Sequence, residues 1–458
     1  MSGAVRRLVG DDVSVLCVDG VERRVVDLDN AASTSALPGV VERVIEFLPR
    51  YSSVHRGAGA KSRASTAAYE AAREAALAFA GRQGRDDVAI ICRNTTEAIN
   101  HLAYRLRLRP DDVVATTVVE HHANLLPWGR VARRRYVECG RDGMFEPGDV
   151  AAALDERPGP RLLAVTGASN VTGWQPPLDA IIGLAHERGV PVVVDAAQLA
   201  PHRPIPADAD FIAWSGHKMY APFGAGILIG PRAAFTEGDP FLAGGGAVEA
   251  VDLDEVLWTS PPEREEAGSP NVVGAVALHA AIDELRAIGW PLISAHEGSL
   301  AERLRRGLAG IPGVRLLGPP LDEPTLALAS FVVEGQHHAL VAARLSAEFG
   351  IATRHGCFCA HPYLYRLLGL GRDQILTHRE AVLRGDRREV PGAVRASASL
   401  ATTLEDIDAL LDAVSVIAGG QDPPVGYRQD PRTGDFAPLG QAQWEMGDPA
   451  LRAACARG

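Results

Sequence analysis

The chain is poor in cysteine. Its 458 residues include six: Cys17, Cys92, Cys139, Cys357, Cys359 and Cys455. That is too few for a disulfide framework at this length and points to a reducing, cytoplasmic setting. Cys357 and Cys359 stand too close together for a zinc knuckle, and there is no second pair. Long apolar runs are missing too. None approaches the roughly 18 residues that a membrane helix needs. The start, MSGAVRRLVGDD, lacks the apolar stretch of a signal peptide. Basic charge is not in excess, since the net charge is −11. No basic face for nucleic acid is implied, and the run Arg133-Arg134-Arg135 is expected to be a solvated turn. The histidine pairs His121-His122 and His337-His338 make a poor metal pattern, because neighbours on a strand point to opposite faces. No metal is expected.

What remains is an ordinary globular composition, 47% hydrophobic and 22% charged. The length allows more than one domain. Between residues 64 and 230 apolar strands alternate with helical periods. Strands are expected at 86–92, 113–120, 161–169, 190–198, 211–216 and 224–230, and helices at 64–81, 95–106 and 178–189. Strands that are apolar throughout and separated by helices indicate a mainly parallel sheet covered on both faces. A helix at 273–289 closes this part. Beyond it, helices at 295–309, 339–349 and 403–418 and a strand near 327–333 suggest a second, smaller α/β unit. The expected division is a large domain at 25–290, a small one made of 1–24 and 291–420, and an extension at 421–458. The charged stretch 371–394 is expected to be loop.

In such a sheet, functional loops lie at the carboxyl ends of the strands. Polar residues interrupt the apolar pattern at those ends: Asn94 to Thr96, His121, Asn170, Asp195, Gln198 and Ser215 to Lys218. Asp195 ends an apolar run where a carboxylate is normally avoided, and Lys218 follows one strand later. Taken singly, each has a plain reading, a turn aspartate and a surface lysine. Taken together they suit pyridoxal phosphate. That cofactor needs a lysine for its Schiff base and a carboxylate to keep its ring nitrogen protonated. Asn94, Thr95 and Thr96 open a helix, whose N-terminal amides and dipole favour a phosphate. Ser215 and His217 flank the lysine and complete the cup. His121 is placed to stack on the ring.

The motifs SGHK (215–218) and DAAQ (195–198) resemble fold-type I pyridoxal-phosphate enzymes of the class V aminotransferase superfamily. More closely, the chain is similar to the cysteine desulfurase and selenocysteine lyase branch. LDNAAST (28–34), VHRG (54–57), NTTEAIN (94–100), EHHANLLPW (120–128), SNVTG (169–173), VDAAQLAPH (194–202), SGHKMYAPFGAG (215–226), EAGSPN (266–271), RHGCFCAHP (354–362) and RASASLATTLEDID (395–408) occur in the family's order. The resemblance implies a seven-stranded-type sheet in the large domain and gives each residue a role. Lys218 would hold the cofactor and move a proton. Asp195 would pair with the ring nitrogen. Gln198 and Asn170 would bond the ring oxygen, with Asn170 also near substrate. Thr95, Thr96, Ser215 and His217 would hold the phosphate, and His121 would stack and relay protons. Ser269 stands where the family has a threonine that reaches the partner subunit's phosphate, which implies a homodimer with shared sites.

RHGCFCAHP carries the chemistry. The resemblance makes Arg354 and Arg395 the holders of a substrate carboxylate, which a guanidinium fits in bidentate geometry, and Cys359 the nucleophile toward substrate sulfur. Arg354, His355 and His361 are expected to favour its thiolate. Cys357 is an extra thiol, and GCFC is also similar to molybdenum-cofactor sulfurases. The expected reaction removes sulfur from L-cysteine or a related amino acid, leaving alanine and a Cys359 persulfide for a sulfur-acceptor protein. On the same scaffold, β-elimination by a C–S lyase and transamination stay open, as does a non-catalytic sulfur-transfer partner. The connection from Cys359 to Arg395 is longer than the family's, and the insert 363–394 is expected to cover the mouth of the site.

Overall fold

The computed structural model describes residues 5–439. Its centre is a seven-stranded sheet. In spatial order the strands are Asp87–Cys92, Gly226–Pro231, Phe211–Ser215, Val192–Asp195, Leu162–Thr166, Val113–Thr117 and Arg133–Val137. Gly226–Pro231 is antiparallel to both its neighbours; the strands from Phe211–Ser215 across to Arg133–Val137 pair in parallel. The runs VVVD, FIAWS and LLAVT are buried at every residue, as strands covered on both faces must be. The helices Pro38–Phe47, Ala60–Phe79 and Val272–Ile288 pack together beside the sheet. They share a core with its strands that includes Tyr69, Ile212, Trp214 and Leu278.

A second sheet is antiparallel. Its strands lie in the order Val314–Leu317, Leu328–Val333, Ala393–Ser397 and Arg354–Gly356. Helices Trp290–Ala309, His338–Phe349 and Leu404–Ala418 pack with it around a separate core that includes Phe331, Leu345 and Leu410. The start of the chain joins this part: Val26–Asp27 pairs in parallel with Ile351–Ala352.

Two expectations about local structure are corrected. Arg133–Arg135 is an edge strand, not a turn. It pairs with Val113–Ala115 on one side only, and charged residues are the usual way to blunt an edge. Arg135 also donates to the carbonyls of Ala153 and Glu156. The stretch 371–394 contains a helix, Arg372–Leu383, which buries none of its residues. Its first helix neighbour, His361–Leu368, instead puts Tyr363, Leu364 and Leu367 into the main core. In the tail, Tyr427–Gln429 pairs with Phe436–Pro438; 440–458, with Cys455, lie outside the described residues. No helix among the described residues is long and apolar enough to cross a membrane.

Candidate active site

The strand ends converge as the apolar pattern requires. Asp195 and Ser215 are the last residues of their strands. A cavity of about 260 Å³ opens there. Thr95, Thr96, His121, Asn170, Asp195, Gln198, Ser215, His217, Lys218, Arg354, Cys359 and Arg395 all line it. Of the residues expected in the site, Ser269 alone does not. It is exposed, on a loop beside Gly245.

The floor is built for a cation opposite a lysine. Burial lowers the Lys218 ammonium to about 8, against the pull of Asp195. Asp195 is 4% exposed, and its Oδ1 accepts from the Ala197 N–H at 3.0 Å. Burial pushes its carboxyl above the usual carboxylate range, and Lys218 opposes the rise. A buried carboxylate with so little neutralisation calls for a cation beside it, and a protonated pyridine nitrogen supplies one. His121 is held by its own turn: its Nδ1 accepts from the Ala123 N–H at 3.0 Å. Burial, then Lys218, lowers its imidazolium to about 3. The ring is therefore neutral and carries its proton on Nε2.

One wall is the start of helix Thr95–Arg105. Asn94 caps it by accepting from the Glu97 N–H at 3.0 Å. Thr95 N–H donates to Ser215 Oγ at 2.8 Å, and the Thr95 and Ser215 hydroxyls lie 2.7 Å apart. Among the described residues the Thr96 amide keeps no partner within the protein, so it faces an anion together with these hydroxyls. Gly226 makes the wall possible. A Cβ there would stand 2.6 Å from Asn94 Cα, which only glycine avoids. These donors, with Lys218 and Asp195 beyond them, fit a phosphorylated pyridine aldehyde.

The opposite wall carries the sulfur and the arginines. Cys359 is an exposed free thiol. Its turn is left-handed at two successive non-glycine residues, Phe358 and Cys359, both with φ +54°. Such backbone persists only where its surroundings hold it. Here Asn170 Nδ2 donates to the Phe358 carbonyl at 2.7 Å, and His122 N–H to the Cys359 carbonyl at 2.8 Å. The Arg395 guanidinium lies 5.0 Å over the Phe358 ring. Asn170 and Gln198, expected to serve the cofactor, thus each spend one N–H on the protein; Gln198 donates to the Ala31 carbonyl at 2.7 Å. His355 departs from expectation. It turns to His338 and to Asp435, 3.3 Å away. His361 stacks on His122, with ring centroids 5.0 Å apart. No residue of 363–394 lines the cavity, so within one chain the insert does not cover its mouth.

Two residues were missed from the sequence. Glu120 is fully buried, next to His121 in the chain. It accepts from Thr117 Oγ1, Asn124 Nδ2 and the Thr166 N–H, yet burial raises it to about 8. Asp29 holds both Arg354 and Arg395. Both lie in quoted stretches, EHHANLLPW and LDNAAST, but a lone acidic residue there carries no local signal.

The sequence profile of class V aminotransferases matches residues 26–410. The chain belongs to the class V aminotransferase family. Members of this family use pyridoxal 5'-phosphate. A probable cysteine desulfurase of Halobacterium salinarum is 35% identical over 85% of this chain and 90% of its own length. A cysteine desulfurase of Dickeya dadantii is 36% identical over 84% and 90%. Among solved structures, the apo cysteine desulfurase of Thermococcus onnurineus superposes with a TM-score of 0.77 at 32% identity, covering 86% of this chain and 95% of that one. The Escherichia coli cysteine desulfurase in its S-sulfonic acid form gives 0.73 at 34%, with the same coverage.

Proposed function

We propose that this protein is a cysteine desulfurase: L-cysteine and the Cys359 thiol give L-alanine and a Cys359 persulfide. One observation carries the reading. An exposed thiol, a half-buried lysine whose ammonium is lowered to about 8 and two arginines line one cavity. Lys218 and Asp195 hold pyridoxal phosphate, with Thr95, Thr96, Ser215 and His217 at its phosphate and His121 against its ring. When bound, the cofactor stabilises the electron pair left at Cα after proton removal. Arg354 and Arg395 fix the substrate carboxylate. Lys218, neutral above about pH 8, takes the α-proton and returns a proton toward the product. Cys359 attacks the substrate sulfur; the Cβ–S bond breaks, an S–S bond forms at Cys359, and the released carbon skeleton is protonated to alanine. Splitting one difficult displacement into two steps is the gain of a covalent nucleophile.

The reading extends to the assembly. It takes the protein as a cytoplasmic homodimer of two-lobed subunits, lobes 25–290 and 1–24 with 291–420, that passes sulfur to an acceptor protein. Ser269 supports shared sites: it is exposed, while Glu265 and Glu266 just before it are anchored in buried ion pairs with His101 and Arg73. A loop so rigidly presented, outside its own cavity, suits a neighbour's phosphate.

The test is Cys359→Ser. Given L-cysteine, the parent protein makes alanine, and its peptide containing Cys357 and Cys359 gains one sulfur atom by mass spectrometry. The variant keeps its cofactor absorbance but loses both products. Its rate falls by more than roughly 100-fold, beyond the cost of a small misplacement of a catalytic group. Retained turnover in the variant sinks the desulfurase reading in favour of β-elimination.

A further inference from the structure

The two carboxylate-binding arginines are an electrostatic problem. Arg354 and Arg395 sit directly opposite each other on adjacent antiparallel strands, where like charges repel. Arg395 is 2% exposed. Burial lowers it to about 10, and Arg354 adds to the fall. A third chain segment resolves the conflict. Asp29 bridges to Ser397, two residues along from Arg395. Its carboxylate accepts from Arg354 Nε at 3.0 Å and Nη2 at 2.8 Å, and from Arg395 Nη2 at 3.3 Å. Arg395 Nη1 is spent on the Asn170 carbonyl at 2.9 Å. Asp29 itself does not line the cavity, whereas both arginines do. It stands behind them.

We infer that Asp29 is a positioning and charge-setting residue: it ties Arg354 and Arg395 into one receptor of net charge +1, matched to a single α-carboxylate. The inference rests on the desulfurase reading for the identity of that carboxylate, but its electrostatics does not. Two guanidiniums and one carboxylate leave one positive charge for the substrate to neutralise. Without Asp29 the pair carries +2 and recruits a second anion from solution. Arg354, half exposed, also loses the fork that aims it.

The experiment uses the holoenzyme and inorganic sulfate as the probe. In Asp29→Asn, sulfate becomes a competitive inhibitor against L-cysteine roughly tenfold stronger than in the parent, the scale of one nearby charge at partial exposure. KM rises with sulfate while kcat holds. Millimolar sulfate also raises the unfolding temperature of this variant more than that of the parent, a readout independent of turnover. The double variant Asp29→Asn with Arg354→Gln restores the charge to +1, and its melting response to sulfate returns to the parent's. Should Asp29→Asn not fold while the double variant does, repulsion between the arginines is confirmed as the cause. Equal sulfate responses in the parent and Asp29→Asn overturn the inference, as does failure of both variants to fold. A parent that makes no alanine from L-cysteine sinks the desulfurase reading instead, and leaves the sulfate comparison intact.

Discussion

Glu120 shows how a single residue can work against stability where the site needs it. It is enclosed completely and raised to about 8 by burial, so at neutral pH it is mainly the uncharged acid. Three donors converge on it, and through Thr117 and Thr166 it ties the ends of two strands to the turn that holds Asn124. An acid whose folded value lies above its unfolded one binds more protons folded than unfolded. Between the ordinary carboxylate range near 4.5 and about 8, the folded state therefore loses stability as pH rises. Glu120→Gln removes that titration. The amide places an N–H against Asn124 Nδ2, a fixed cost at every pH. The expected result concerns slope: unfolding temperature falls from pH 5 to pH 8 in the parent and falls less in the variant. Parallel pH profiles by calorimetry would show that Glu120 is not the titrating group.

At the scale of elements, the phosphate wall depends on three segments meeting closely. Gly226 pairs with Cys92 on one side and Ser215 on the other, and a Cβ there would collide with the Asn94 backbone. Backbone cannot swing aside as a long side chain can. Gly226→Ala therefore pushes the start of helix Thr95–Arg105 away from Ser215, at about 1–3 kcal/mol of overpacking. Pyridoxal phosphate titrated into the apo-protein should bind more weakly, with a lower melting temperature. Unchanged cofactor affinity would place the phosphate elsewhere. This region was the most legible in the sequence, because buried parallel strands are apolar runs and the polar residues ending them stand out. Ser215 and Asp195 were visible for that reason. The helix Arg372–Leu383 was not, since it has no buried face and so no apolar stripe to read. The strand Arg133–Val137 was hidden by its charges. Asp29 was invisible in a different way. Its role exists only once residues 366 positions apart are brought into contact, and no local pattern encodes that.

At the scale of the whole molecule, one run of exposed apolar side chains lies on a hairpin near the loop that carries Ser269. The hairpin of Val248–Val251 and Val256–Trp258 exposes Val251, Val256 and Leu257, and Leu253 at its tip is fully exposed at 102%. Gly268 N–H donates to the Gly245 carbonyl at 2.8 Å, so the hairpin's base and the Ser269 loop are fastened together. An isolated two-stranded hairpin with apolar side chains facing water has little reason to be ordered. In the homodimer proposed above, a second copy of the chain would cover it and bring Ser269 to the partner's phosphate. Replacing both Leu253 and Leu257 with Asp should convert the proposed dimer to monomer in light scattering at micromolar protein. On the proposed shared site, desulfuration should fall with it, because each site would lose the Ser269 hydroxyl of its neighbour, while the helical circular dichroism of the subunit is kept. Ser269→Ala should leave the dimer intact and weaken pyridoxal phosphate retention alone. If the double Asp variant stays dimeric and fully active, the hairpin is not the contact and Ser269 serves no neighbour.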